Sequence, residues 1–174
     1  MKKLFFLLAL VPFLMTGCKD NNATKADSNQ IIYDGIVVDV VPYMGFDVEN
    51  SRFYMSANAM DTLHPATIKG DMFESNIGKL YDLTEQDMKD NFSLMFSMMN
   101  PDVYVGMENH PDDFRGVINE TEYENESPFN KGEMSLTREG DGYKFLLSGT
   151  LRNGKKLDVN LDITAEYVEI LEWK

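Results

Sequence analysis

The chain of 174 residues contains one thiol, Cys18, and two imidazoles, His64 and His110. A single cysteine cannot form an internal disulfide or a metal site that needs several thiolates. Neither histidine lies in a motif that pairs a nucleophile with a base, and the sequence has no Gly-x-Ser-x-Gly, phosphate-binding loop or His-Glu-x-x-His motif. The residue types therefore predict a protein that is not an enzyme, with no catalytic residue, no cofactor and no metal.

Carboxylates are the most abundant groups that could do chemistry, with 29 Asp and Glu residues against 16 Lys and Arg residues. Two carboxylates that face each other can hydrolyse glycosides, so a carboxylate-pair hydrolase stays open as a third interpretation. The formal net charge of −13 disfavours nucleic acid as a partner, because phosphate contacts need clusters of Lys and Arg.

Four residues near the C-terminus have the spacing of a calcium-binding loop, in which alternate positions supply oxygen ligands. The sixth position of such a loop turns sharply, but here it is Ile163, and a β-branched residue rarely adopts a positive φ. The alternation of a β-strand explains the same residues, so we expect no calcium site. The four residues are Asp158, Asn160, Asp162 and Glu169.

Two more segments carry polar side chains. Asn109-His110-Pro111-Asp112-Asp113 offers a weak set of metal ligands and is more simply a solvated loop. Acidic residues alternate along residues 120–126, and on one strand face they would repel one another. Residues 120–131 are therefore predicted to be an exposed loop that could meet a partner. The acids are Glu120, Glu122, Glu124 and Glu126.

The elements that would position these residues are mostly strands. Residues 156–163 alternate strictly between polar and apolar side chains, and residues 132–138 and 143–151 do so less strictly. The intervening turns contain Gly140-Asp141-Gly142 and Asn153-Gly154, and Asn-Gly favours a type I′ hairpin turn. This pattern predicts an antiparallel meander with one wet face.

Shorter patterns extend the prediction to the rest of the chain. The segment 31–41 is rich in β-branched residues, with Gly35 as a candidate bulge. Further strands are predicted over residues 51–59, 67–73, 103–107, 113–119 and 167–173.

One amphipathic helix is predicted between these strands. Thr84-Glu85-Gln86-Asp87 resembles a capping box, and Asn100-Pro101 would end the helix. Apolar residues between them recur at the spacing of one helical face. We expect this face to close the sheet as a lid; the alternative is that it lines a ligand cavity. The face contains Met88, Phe92, Met95, Phe96 and Met99.

These elements define the fold class as mainly β: a single antiparallel β-barrel or β-sandwich with one amphipathic helix. The length of residues 30–174 suits one domain.

The N-terminus carries a targeting pattern. Lys2 and Lys3 precede an apolar run over residues 4–15, which is too short to span a bilayer and typical of a signal peptide. Met15-Thr16-Gly17-Cys18 resembles a bacterial lipobox, in which small residues precede an obligatory cysteine. The resemblance implies that residues 1–17 are a signal peptide and that Cys18 carries acyl chains such as palmitate. The alternative is an ordinary secreted protein.

Residues 18–29 are predicted to be a flexible tether, because they contain no aromatic residue and no aliphatic residue larger than alanine. Loss of residues 1–17 removes two lysines and no acid, so the formal net charge of the mature chain becomes −15. An acidic domain is repelled by anionic lipid, so the lipid itself must attach the protein to the membrane.

Two further short motifs indicate the same kind of bacterial cell envelope. Cys18-Lys19-Asp20 resembles part of the surface-export signal of Bacteroidetes-type lipoproteins, and Asp61-Thr62-Leu63 resembles their short O-glycosylation acceptor. We therefore expect a lipid anchor in the bacterial outer membrane, with the domain facing either the cell surface or the periplasm.

The body of the chain resembles a loosely defined group of small Bacteroidetes-type lipoproteins of unknown function. The similarity lies in residues 77–84 and in the hairpin region 132–155. It implies a β-rich, calycin-like or sandwich-like domain and transfers no site residue. The expected function is a non-enzymatic binding or interaction module, and the alternative is a calycin-like binder of small hydrophobic ligands.

Overall fold

The computed structural model describes residues 26–60, 62–84, 92–110 and 113–171. These residues form thirteen strands and two short 3-10 turns, Glu74–Asn76 and Ala165–Tyr167. None of the described segments is a helix with the length and hydropathy needed to cross a membrane. The strands are β1 (Gln30–Tyr33), β2 (Ile36–Asp47), β3 (Arg52–Ala59), β4 (Ala66–Phe73), β5 (Leu80–Asp82), β6 (Phe92–Met98), β7 (Val103–His110), β8 (Asp113–Ile118), β9 (Thr121–Glu124), β10 (Phe129–Glu139), β11 (Gly142–Leu151), β12 (Lys156–Ile163) and β13 (Val168–Leu171).

All of these strands belong to one sheet, in the order β5-β10-β11-β12-β1-β2-β3-β4-β6-β7-β8-β9. Neighbours along this path pair antiparallel, whereas β13 pairs in parallel with β2. β1 pairs with residues 36–39 of β2, and β13 pairs with residues 44–47 along the same edge of β2. β13 thus pairs with a part of this edge that the short strand β1 does not reach.

The sheet curls into an open half-barrel. The prediction of a mainly β chain is confirmed, but the expected closed barrel or sandwich is wrong. A barrel closes only when its first and last strands pair. Here the two ends of the path are β5, with three residues, and β9, with four, and they do not pair with each other.

The core lies on the concave face and follows from the period-2 alternation of the strands. In β12 the four apolar residues are buried, and the same holds for Phe145 and Leu147 in β11. Ring contacts join opposite parts of the sheet, such as Tyr33 with Phe96 at 5.6 Å between ring centroids. The strict alternation predicted for residues 156–163 is confirmed.

The predicted helix is wrong over the residues that the structure describes. Residues 92–98 form β6, in which Phe92, Leu94, Phe96 and Met98 are buried at 4% exposure or less. The predicted helical face is split, because Phe92 and Phe96 face the core while Met99 is 64% exposed in the following turn. Residues 85–91, which include Met88 and most of the capping box, lie outside the described residues.

Two turns also differ from expectation. Asp34 and Gly35 both have positive φ and join β1 to β2, so Gly35 is a hairpin-turn residue rather than a bulge. The turn at Asn153 and Gly154 is not type I′, because only Gly154 of the pair has positive φ. The Gly154 N–H donates to the carbonyl oxygen of Leu151 at 2.9 Å, which is the bond of a type I turn followed by a left-handed glycine.

The exposed loop predicted over residues 120–131 is wrong in part. Residues 121–124 pair with β8 as the edge strand β9, and Phe129 is buried at the start of β10. Arg152 holds the segment between them, since its Nε donates to the carbonyl oxygen of Ser127 at 2.6 Å and Nη1 lies 3.0 Å from Glu126. Glu122 and Glu124 remain exposed on the strand.

Candidate functional site

A groove runs along the outer face of β11, between β10 and β12. Its floor is formed by Ser148 and Thr150, whose short side chains point away from the core. Longer side chains stand on both sides, because the register places Lys131 and Lys156 beside Thr150, and Glu133 and Asp158 beside Ser148. The groove has a volume of about 650 Å³ and is open to solvent. Short residues on the central strand and long ones on its neighbours therefore create the groove.

The strands lie close together beneath the floor because glycines face the core there. A Cβ on Gly149 would lie 2.6 Å from Cδ1 of Phe129, and a Cβ on Gly132 would lie 2.7 Å from the Cα of Gly149. Real Cβ contacts are not this short, so a side chain at either position would push β10 and β11 apart. The glycines thus fix the spacing of the walls above them.

The short edge strand β5 extends the β10 wall. Leu80, Tyr81 and Asp82 pair with residues 133–135, and Tyr81 turns inward to contact Phe92 at 5.4 Å between ring centroids. This leaves Leu80 and Asp82 on the groove side. The Thr84 hydroxyl and backbone N–H donate to Asp82 at 2.7 and 2.8 Å, and these bonds lower the pKa of the Asp82 carboxyl.

The groove carries charge in two bands that lie side by side. The first band contains Lys131 and Lys156, and neither lysine forms an ion pair with a described residue. The second band contains Glu133 and Asp158, with the Ser148 hydroxyl donating to Asp158 Oδ1 at 2.5 Å. Two residues along a strand separate the bands, so their backbones are about 7 Å apart. A cationic band and an anionic band are both available to a ligand.

A third band continues the groove and is largely apolar. Leu80, Leu146 and Ala26 line an adjoining space of about 350 Å³, together with Ser135 and Asn160, which the register places on either side of Leu146. Ala26 is only 6% exposed, although it lies within the predicted tether. The order of the bands along β11 is thus cationic, anionic and apolar.

The N-terminal residues 26–29 form the end wall of this third band. Asn160 Nδ2 donates to the carbonyl oxygen of Ala26 at 3.1 Å, and the backbone N–H of Asp162 donates to Asn29 Oδ1 at 2.9 Å. Ser28 donates to the Asp162 carboxylate, which also pairs with Lys144 at 2.7 Å. The ammonium of Lys144, followed by the Ser28 hydroxyl, lowers the pKa of Asp162. The last four residues of the predicted tether are therefore held against β12.

The candidate calcium ligands are dispersed. Asp158, Asn160 and Asp162 follow one another on the outer face of β12, where Asp158 and Asp162 are engaged by Ser148 and Lys144. Glu169 lies on β13 and accepts a hydrogen bond from the Tyr43 hydroxyl. The described part of the chain contains no group of three or more His, Cys, Asp or Glu residues that could hold a metal ion. Strand alternation accounts for the spacing.

The other polar candidates do not converge on the groove. His64 Nδ1 lies 2.6 Å from the carbonyl oxygen of Asn100, so its ring is held to a turn. His110 ends β7 and Asp113 begins β8, while Pro111 and Asp112 lie outside the described residues. Cys18 and Asp61 also lie outside them, so lipidation at Cys18 and glycosylation at Asp61-Thr62-Leu63 stay predictions.

The concave face offers little space for a ligand. The gap among its buried side chains, between Phe53, Met55, Leu94, Met134 and Phe145, has a volume of about 10 Å³. Known ligand pockets occupy several hundred Å³. Within the part of the chain that the structure describes, this gap in the core is too small for a small hydrophobic molecule.

Comparisons with protein families, with curated proteins and with solved structures found no significant match to this chain.

Sequence reasoning missed the groove, although a signal for it is present. Ser148-Gly-Thr150 and Lys156-Leu-Asp158 each place two polar side chains on the wet face of a predicted strand, and Lys131-Gly-Glu133 has the same spacing at the start of a third. Aligning them requires the registers of two hairpins. The turn between β11 and β12 differs in type from the prediction, and β10 begins three residues earlier than predicted.

Proposed function

We propose that this chain is a lipid-anchored cell-envelope protein that acts as a non-enzymatic binding module, with the groove along β11 as its binding site. Acyl chains on Cys18 attach it to the bacterial outer membrane, and the domain faces the cell surface or the periplasm. The lipobox-like sequence at residues 15–18 supports the anchor, and the family resemblance supports the envelope location.

The groove is the observation that carries the binding role. It offers about 650 Å³ of open space. The space is lined by hydroxyl and carboxylate oxygens and by two lysines that form no ion pair with a described residue, as in binding sites with a few convergent polar groups. The filled concave face gives no support to the alternative of a calycin-like binder of hydrophobic ligands.

Site-specific photo-crosslinking in living cells tests this role. A photo-reactive residue is placed at Thr150 on the groove floor and, as the control, at Lys69, which is exposed on the outer face of β4. We expect a discrete adduct from position 150 that is absent at position 69. Equal labelling at both positions, or no adduct at position 150, would contradict a binding role for the groove.

A carboxylate-pair hydrolase is the second candidate, and one observation favours it. Glu133 and Asp158 stand on opposite walls of the groove, separated by two inter-strand spacings, or about 10 Å between their backbones. Inverting glycosidases use carboxylates about 6.5–9.5 Å apart.

Turnover of nitrophenyl glycosides by the purified protein tests this candidate. Loss of that turnover in both Glu133→Gln and Asp158→Asn, with Glu139→Gln unaffected, would favour the hydrolase. The binding role predicts no turnover by the unmodified protein.

A further inference from the structure

The order of the three bands along β11 restricts what can occupy the groove. Lys131 and Lys156 favour an anionic group at one end, and Glu133 and Asp158 favour a cationic group about 7 Å further along. The apolar band at Leu146 and Leu80 begins directly beyond the acids. A ligand that satisfies all three carries a negative charge, then a positive charge, then an apolar group.

We infer that the groove binds short zwitterionic peptides whose first residue has an apolar side chain. An extended dipeptide spans about 7 Å from its amino end to its carboxyl end, which matches the separation of the two charged bands. Its carboxylate lies between the two lysines and its ammonium between the two acids. The first side chain then extends from the amino end toward Leu146. The inference rests on the proposed function, since it names the ligand of the same groove.

The groove floor suits the peptide bond between these ends. The hydroxyls of Ser148 and Thr150 lie between the charged walls, and each hydroxyl can donate or accept a hydrogen bond. The Thr150 hydroxyl has no hydrogen-bond partner among the described residues. The reversed orientation would place the carboxylate beside Glu133 and Asp158, where like charges repel.

The charge order also separates a peptide from a zwitterionic lipid headgroup. In an ethanolamine phospholipid the ammonium is outermost and the phosphate lies between it and the acyl chains. The groove has this same charge order, cationic then anionic then apolar, so a headgroup with its acyl chains on the apolar band would place its phosphate beside Glu133 and Asp158 and its ammonium beside the lysines, where like charges repel. The arrangement therefore favours the amino end of a peptide next to the apolar group.

Titration of Leu-Gly into the mature chain carrying Cys18→Ala, followed by NMR or calorimetry, tests the inference. This variant keeps every groove residue and lacks the lipid. We expect Leu-Gly to bind at millimolar concentrations or below. Gly-Leu should bind about tenfold more weakly, because its apolar side chain lies at the wrong end and loses part of its burial.

Paired changes in protein and ligand test which band holds which end. Lys131→Gln combined with Lys156→Gln should weaken Leu-Gly about tenfold and leave Leu-glycinamide unchanged. Glu133→Gln combined with Asp158→Asn should weaken Leu-Gly and leave N-acetyl-Leu-Gly unchanged. Lys69→Gln, an exposed lysine on the outer face of β4, is the control and should change nothing.

The inference is overturned if Leu-Gly does not bind or if Gly-Leu binds equally well. It is also overturned if each double variant weakens the binding of Leu-Gly and the binding of its blocked form (Leu-glycinamide or N-acetyl-Leu-Gly) to the same extent. An adduct from Thr150 in cells together with no peptide binding would leave the proposed function standing and remove the peptide as its ligand. Absence of both would remove both.

Discussion

At the scale of single residues, the pair between Lys144 and Asp162 links the sheet to the N-terminal segment. Their side chains are 2.7 Å apart, and the Ser28 hydroxyl donates to the same carboxylate. The pairing lowers the pKa of Asp162 and raises the pKa of Lys144. One of the contacts that hold residues 26–29 at the end of the groove, the hydrogen bond from Ser28, therefore depends on an ionised carboxyl.

The direction of these shifts fixes the pH at which the pair stabilises the fold. Because the folded-state pKa of Asp162 lies below its unfolded value of about 3.9, its stabilisation is present above that value. It is lost as the pH falls through the folded-state pKa. Lys144 is charged at neutral pH in the folded and the unfolded chain. Because its pKa is raised on folding, its contribution is present below the unfolded value and lost as the pH rises through the folded-state pKa.

Asp162→Asn should therefore lower the melting temperature at neutral pH and have little effect at strongly acid pH, where the carboxyl is protonated in both states. Circular dichroism melts across this pH range provide the measurement. Asp102→Asn, in an exposed turn, is the control and should leave the melting temperature nearly unchanged. An equal loss for Asp162→Asn at both ends of the range would contradict a role for the charge.

At the scale of elements, β6 shows why periodicity alone misassigned one segment. Phe92 and Phe96 are four residues apart, a spacing that satisfies both a helix and a strand. The residues that decide between the two are Leu94 and Met98, which a strand places on the same face as Phe92 and a helix does not. Both are buried.

A pair of alanine substitutions tests the strand directly. Leu94→Ala should lower the free energy of unfolding by about 2–5 kcal/mol, because Leu94 is 4% exposed in the core. Met95→Ala, on the outer face, should lower it by about 0.5 kcal/mol. Denaturant unfolding measures both. A helix would make Met95→Ala the more destabilising change, because a helix would bury Met95 and expose Leu94.

Elements with clear period-2 alternation could be predicted from the sequence, and the groove could not. Residues 52–59 and 156–163 alternate in a way that only a half-buried strand satisfies. The groove depends on the register among β10, β11 and β12. That register is set by turn geometry, including the left-handed Gly154, and by the bulge between Phe129 and Lys131.

At the scale of the whole molecule, the open sheet leaves two edges. Closure of a barrel depends on whether the terminal strands find each other, and no local pattern in the sequence encodes it. At one edge, β9 carries Glu122 and Glu124, which remain exposed on a strand that pairs only with β8 among the described residues. Charged residues on an edge strand discourage pairing with another chain.

Replacing both Glu122 and Glu124 with Thr should therefore promote self-association, because threonine favours strands and carries no charge. Light scattering or analytical ultracentrifugation at increasing protein concentration measures the effect. Glu120→Thr, in the turn before β9, is the control and should leave self-association unchanged. A double variant that remains as monomeric as the unmodified protein would show that these acids do not protect the edge.

The lipid anchor would place the groove near the membrane. Seven residues lie between Cys18 and Ala26, so the eight steps from one Cα to the other reach at most about 28 Å when fully extended. Because residues 26–29 are held at the end of the groove, the same limit applies between that end and a lipid on Cys18. The groove would then meet ligands close to the membrane surface.

The intact mass of the mature protein, extracted with detergent from the membranes of the native host, tests the lipid anchor most directly. The account predicts a chain that begins at Cys18 and is heavier than its amino-acid sequence by a diacylglyceryl group and any further acyl chains. Cys18→Ala should lack this added mass and leave the membrane fraction. A mature chain with an unmodified N-terminus and a free thiol at Cys18 would contradict the account.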